Sequence, residues 1–127
     1  MCSLWHNTIG DQGASAIAKA LTVNAVLKSL NLAENCIRAE GATTIAKALR
    51  ANRILTDLSV RSNGIGHQGA TAFAEALEIN GILTNLNLAN NELCGLNRFT
   101  SRGIYTTAGI TSMVKVLKIN AGLKELK

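Results

Sequence analysis

Gly64, Gly66 and Gly69 stand in the order Gly-Ile-Gly-His-Gln-Gly, the spacing of a dinucleotide-binding turn. In that chemistry one glycine makes the tight turn and the next lets backbone N–H groups approach a pyrophosphate. The third lets the following helix lie close to its strand. The flanks have the right character, with Leu58 and Val60 alternating before the turn and Ala70, Phe73, Ala74 and Leu77 at helical spacing after it. Related loops dispose of the match. The chain also reads Thr8-Ile9-Gly10-Asp11-Gln12-Gly13 and Cys36-Ile37-Arg38-Ala39-Glu40-Gly41. Only the last glycine is shared by all three, and the next strand ends Leu88-Ala89-Asn90-Asn91 without an acid to hold a ribose. The pattern is a coincidence of turn variants, and no cofactor is expected.

Histidines and cysteines point no more firmly to chemistry. His6 and His67 lie far apart in sequence, and no motif ties either to a serine or cysteine nucleophile. His67 aligns with Asp11 and Ala39, a helix-start position that tolerates any residue, so both are read as solvated surface histidines. Cys2, Cys36 and Cys94 are an odd count without metal-ligand spacing. Unpaired thiols fit a reducing compartment, so the cytoplasm, or the nucleus, is the expected location. No catalytic residue, no metal and no enzymatic activity are expected.

The elements that would position these residues declare themselves by repetition. Asn7, Asn35, Asn63 and Asn91 are 28 residues apart, as are Asn24, Asn52 and Asn80, and Gly13, Gly41 and Gly69. A fixed period of this size marks a solenoid whose units touch only their neighbours. Each unit opens on a strand pattern: Leu27-x-x-Leu30-x-Leu32-x-x-Asn35-x-Ile37, then Leu55-x-x-Leu58-x-Val60-x-x-Asn63-x-Ile65, then Leu83-x-x-Leu86-x-Leu88-x-x-Asn91-x-Leu93. The alternation within Leu30-Asn31-Leu32 buries one face and leaves the other open. The second half of each unit changes to helical spacing, as at Ala42, Ile45, Ala46 and Leu49. Asn24, Asn52, Asn80 and Asn120 close the helices, where asparagine tolerates left-handed backbone. Only consecutive parallel strands with helices outside satisfy both halves: an α/β fold, a β-α solenoid with the sheet on its concave side.

These residues resemble the leucine-rich repeat family, in the long ribonuclease-inhibitor type of unit. The resemblance implies a right-handed horseshoe segment with a parallel concave sheet and convex helices. It also implies that Asn7, Asn35, Asn63 and Asn91 form a structural ladder bonded to backbone groups of neighbouring turns. The whole of 1–127 is expected to be one such domain, with a partial repeat at 1–26, repeats 27–54, 55–82 and 83–122, and a partial repeat at 123–127. Leu4 falls at the position of Leu32 and Leu126 at that of Leu30, so both ends fall inside repeats. Uncapped ends suggest a piece of a longer array, or self-association through them.

The third full unit is longer than the others. Leu93 to Gly109 is 16 residues where Ile37 to Gly41 is four, which places twelve extra residues between strand and helix, at about 94–105. This insertion holds Arg98, Phe99, Arg102 and Tyr105, the residue types that anchor interfaces, on an edge where repeat proteins commonly bind. The blander reading tucks Phe99 and Tyr105 over the local core. Outward strand positions add Trp5, Asn31, Asp57, Arg61 and Asn87 as candidate contacts on the concave face. The net charge of +5 is dispersed, without a run of like residues, and the chain has no apolar stretch near 18 residues. The expected role is therefore a non-enzymatic protein-interaction module with neither a nucleic-acid nor a membrane partner. The alternatives are a GTPase activator of the Ran type, implied by the resemblance, or a purely structural stretch of a longer array.

Overall fold

The computed structural model describes residues 1–95 and 105–127. Five short strands form one sheet: β1 (Cys2–Ser3), β2 (Ser29–Asn31), β3 (Asp57–Ser59), β4 (Asn85–Asn87) and β5 (Glu125–Leu126). They are parallel and follow chain order. Between them run α1 (Gly10–Val23), α2 (Ala39–Ala51), α3 (Gly66–Leu77) and α4 (Ala108–Leu117). Leu30 pairs with Leu58 and Leu58 with Leu86, so the register equals the 28-residue period. Leu126 pairs with Leu86, the extra residues having been absorbed between β4 and α4. This is the parallel β-α solenoid that the spacing predicts.

Alternation decides which side chains form the core. Leu30, Leu58 and Leu86 point inward and are buried, while their strand neighbours Ser29, Asn31, Asp57 and Ser59 are half-buried on the open face. The helices return Ala42, Ile45, Ala46 and Leu49 of α2, and Ala70, Phe73, Ala74 and Leu77 of α3, to the same layer. Phe73 is the bulkiest fully buried side chain among the described residues. α4 contributes Met113 and Val116, while Ile110, Val114 and Leu117 are exposed. Small residues are required where helices meet. A Cβ added at Gly41 would lie 2.9 Å from Ala14 Cβ, and one at Gly69 would lie 3.0 Å from Ala42 Cβ. The shared glycine of the loop therefore serves close helix packing rather than a phosphate.

The side chains of Asn35, Asn63 and Asn91 form the ladder implied by the resemblance, whereas the Asn7 side chain bonds only within its own turn and joins through its backbone N–H to Asn35 Oδ1. Asn63 Oδ1 accepts the Asn35 N–H at 2.9 Å, and its Nδ2 donates to Leu32 O of the preceding turn, also at 2.9 Å. Asn91 repeats both bonds, to the Asn63 N–H and to Val60 O. The backbone must turn sharply to aim these side chains inward. Glu34 and Cys36, which bracket Asn35, both have left-handed φ values of 57° and 55°, and His6, Thr8, Ser62, Asn90 and Glu92 share that geometry. Gly64 takes the same conformation at φ 67°, a single relieved position in a row of strained ones.

One expectation is corrected. Asn24 and Asn52 close their helices in extended conformation, with φ of −75° and −70°, and neither Asn80 nor Asn120 has a positive φ. α3 and α4 end earlier still, at Leu77 and Leu117 with Glu78 and Lys118 as caps. The Asn52, Asn80 and Asn120 side chains each tie the preceding repeat's helix end to the turn leading into the next strand. Asn52 Nδ2 donates to Leu21 O at 2.7 Å, while its Oδ1 accepts the Ile54 and Leu55 N–H groups. Asn80 and Asn120 repeat the arrangement. A second asparagine ladder therefore runs along the edge where helix turns back to strand.

Candidate protein-interaction surface

The open face of the sheet is a shallow groove of about 260 Å³, lined chiefly by Ser29, Asn31, Asp57, Ser59, Asn85 and Asn87. Their placement follows from parallel in-register strands, which stack equivalent outward positions side by side. The row is polar, with a charge at Asp57 and, at the β5 end, Glu125 in register with Asn85 and 3.0 Å from Lys127 Nζ. The Thr56 hydroxyl donates to Asp57 Oδ2 at 2.5 Å, and Asn85 Nδ2 donates to Asp57 Oδ1 across the strand pair. These bonds, Thr56 first and Asn85 second, hold the carboxyl below its ordinary value of 3.8, while desolvation acts weakly the other way.

A carboxyl whose folded pKa is depressed favours the folded state when ionised. Its contribution is complete above the unfolded value and is lost as pH falls through the folded one. Asp57→Asn is therefore expected to flatten the decline of the urea midpoint below about pH 4, relative to the parent chain. Chemically, the groove offers hydrogen-bond donors and acceptors around the Asp57 carboxylate, with the Glu125–Lys127 ion pair at one end, a surface suited to a polar protein segment carrying a cation.

The predicted contact residues separate into groups. Asn31 and Asn87 line the groove, and each Oδ1 is already used, accepting the Ala33 or Ala89 N–H at 3.0 Å. Trp5 and Arg61 occupy equivalent repeat positions just beyond their strands, with the buried Ala33 between them. Trp5 is 55% exposed, its ring 5.4 Å from that of His6. His6 Nδ1 lies 3.3 Å from Glu34 Oε2. Tyr105 is 65% exposed, which excludes the tucked reading for that residue. The ends of the insertion meet, since the Thr106 N–H donates to Cys94 O at 2.9 Å. Arg98, Phe99 and Arg102 lie outside the described residues. Among the described residues no group of three or more His, Cys, Asp or Glu is placed to hold a metal ion.

A family model for the leucine-rich repeat matches residues 3–18, 23–46 and 51–74, together just over half of the chain. The chain belongs to the leucine-rich repeat family. Two solved leucine-rich repeat structures superpose on nearly all of it. One, described as leiomodin-1 actin-binding site 2, is 29% identical, with a TM-score of 0.79, covering 98% of this chain and 68% of that one. The tropomodulin C-terminal domain of Caenorhabditis elegans has a TM-score of 0.81 at 11% identity, covering 98% and 70%, and shows the fold alone. No curated protein sequence matches the chain.

Sequence reasoning missed two features of this leucine-rich repeat segment. The Asp57–Asn85 contact was signalled by the 28-residue separation of the two residues on adjacent strands. Asp11 was grouped with positions that tolerate anything, yet its Oδ1 accepts the Gly41 N–H at 2.6 Å and caps the start of the neighbouring α2. The signal would have been an acid at a helix start, one repeat before a helix lacking its own cap.

Proposed function

We propose that this chain is a protein-interaction module without catalytic chemistry of its own. It holds a protein partner across the polar groove and the rim that carries Trp5, Arg61 and the 94–105 insertion, with actin as the partner. The observation that carries the reading is the 29% identity, over 98% of this chain, to a structure described as an actin-binding site of leiomodin-1. The surface supports it: an exposed tryptophan and an exposed arginine flank a groove of hydrogen-bonding side chains, and these two residue types dominate interface energetics. Arg98, Phe99 and Arg102, outside the described residues, are included in this proposal as further contacts on the strength of their residue types.

The test is direct binding of the purified 127-residue chain to monomeric and filamentous actin. Binding to one form is expected, and Trp5→Ala with Arg61→Ala is expected to weaken it by about thirtyfold, the effect of losing roughly 2 kcal/mol. Absence of binding to both forms removes actin as the partner, and undiminished binding by the double variant removes this face. Deleting 94–105 tests the insertion in the same assay. The GTPase-activator alternative keeps one foothold in the exposed Arg61. It requires faster GTP turnover by a small GTPase in the presence of the chain, whereas the binding module leaves that rate unchanged.

A further inference from the structure

The edge where helices turn back to strands, opposite the insertion, carries a second surface. Val23, Ala51, Ile79 and Ile119 each precede an asparagine of the second ladder, and Val26, Ile54 and Ile82 each follow one by two residues. These are turn positions, where repeats usually place polar residues, yet Val23 is 83% and Val26 79% exposed, and Ile79, Ile82 and Ile119 are exposed as well. Cations surround the row: Lys28, Arg50, Arg53, Lys118 and Lys124 are all exposed. The acid among them, Glu78, lies 3.8 Å from Lys115. Among the described residues the opposite edge carries Asp11, Glu34, Glu40 and Glu92 against Arg38 and Arg61. The described charge is thus graded from one edge to the other, with Arg98 and Arg102 of the insertion outside that count.

We propose that this aliphatic, basic edge lies against an anionic lipid surface, its Val and Ile tips entering the headgroup layer and its cations meeting lipid phosphates. Three observations favour a bilayer over a protein partner. Val23, Val26, Ile79 and Ile119 stand exposed, with Ile82 less so and Ile54 half-buried, and a fluid interface accommodates such uneven tips that a protein would have to match pocket by pocket. Aliphatic tips combined with a basic rim supply the two signals that stable surface attachment needs. Backbone groups brought near hydrocarbon must be paired internally, and the second ladder does this. Leu21, Leu49 and Leu77 carbonyls accept asparagine Nδ2 groups, and the Val26, Ile54 and Ile82 N–H groups donate to Oδ1 atoms. No helix among the described residues is long and apolar enough to cross a membrane, and surface attachment needs none. The proposal replaces the expectation of no membrane partner, which rested on the lack of a spanning stretch.

The test is flotation of the whole chain with vesicles of phosphatidylcholine alone or with roughly one-third phosphatidylserine. The chain is expected to float with the anionic vesicles only, and less so as salt is raised. Val23→Asp with Val26→Asp, and separately Arg50→Glu with Arg53→Glu, are each expected to weaken flotation by roughly tenfold or more. Because these side chains are exposed, both variants should melt with the parent and retain the binding of the concave face, so the two surfaces fail independently. No flotation with anionic vesicles, flotation unaffected by both pairs, or capture of an acidic amphipathic peptide in place of vesicles would each overturn the proposal.

Discussion

Replacing Asn63 by leucine is expected to lower the folding free energy by about 3 kcal/mol, read as a shift in the urea midpoint at unchanged slope. The side chain is buried and serves five backbone groups in two turns. Its Oδ1 accepts the Asn35 and Ile37 N–H groups, and its Nδ2 donates to the Leu32, Val60 and Arg61 carbonyls. Leucine has a similar volume, so packing is little changed and the loss isolates the polar groups left unpaired. Each of these costs about 1–3 kcal/mol if none relaxes to water; partial relaxation brings the sum down to the stated figure. Asn7 is the internal control. It is exposed, and its Nδ2 donates only to Leu4 O and Trp5 O within its own turn. Asn7→Leu is expected to cost less than about 1 kcal/mol. Equal costs at the two positions would mean that the ladder does not join the turns.

Phe73→Ala is expected to cost about 4 kcal/mol. Phe73 is fully buried at a position where the other repeats hold Ile17, Ile45 and Met113, so the layer around it is shaped to one large ring. Removing that ring leaves a cavity which flanking helices, held at glycine-alanine contact distance, cannot close. Phe73→Leu refills most of the volume with a side chain like those of neighbouring repeats and is expected to cost under about 1.5 kcal/mol. Because each repeat contacts only its neighbours, destabilisation at the third helix is expected to spread to adjoining turns and appear as reduced cooperativity. A small loss for Phe73→Ala would show the layers to be loosely packed.

The fold was legible because its determinants are periodic. Leucine at every second strand position, alanine at helical spacing and a fixed 28-residue unit leave one way to bury all the apolar faces, and the observed register of Leu30, Leu58 and Leu86 follows. The exposure of Trp5 and Arg61 was legible from the same alternation. The second ladder was only half legible. Its asparagines recur as strictly as those of the first, but a helix-ending asparagine suits either left-handed backbone or an extended turn closed by its side chain. Neighbouring turns decide between them, since Leu21 O sits where Asn52 Nδ2 reaches it. The Asp11 cap on α2 escaped because it depends on the offset between adjacent helices, a quantity set by glycine-alanine contact rather than by any local pattern. The edge of exposed valines and isoleucines was present in the period too, but turn positions are read for breakers and not for faces.

The account rests on turns stacked in chain order with both asparagine ladders between them. The most direct measurement is a set of nuclear Overhauser contacts in the labelled chain, read between residues one repeat apart. The stacked arrangement predicts contacts from the Asn63 side-chain amide to the strand of the preceding turn at Leu32, from the Asn80 side-chain amide to Leu49, and between the paired residues Leu58 and Leu86. Strands paired antiparallel or out of chain order, or side-chain amides of Asn63 and Asn80 that exchange as fast as those of a solvated asparagine, would contradict it.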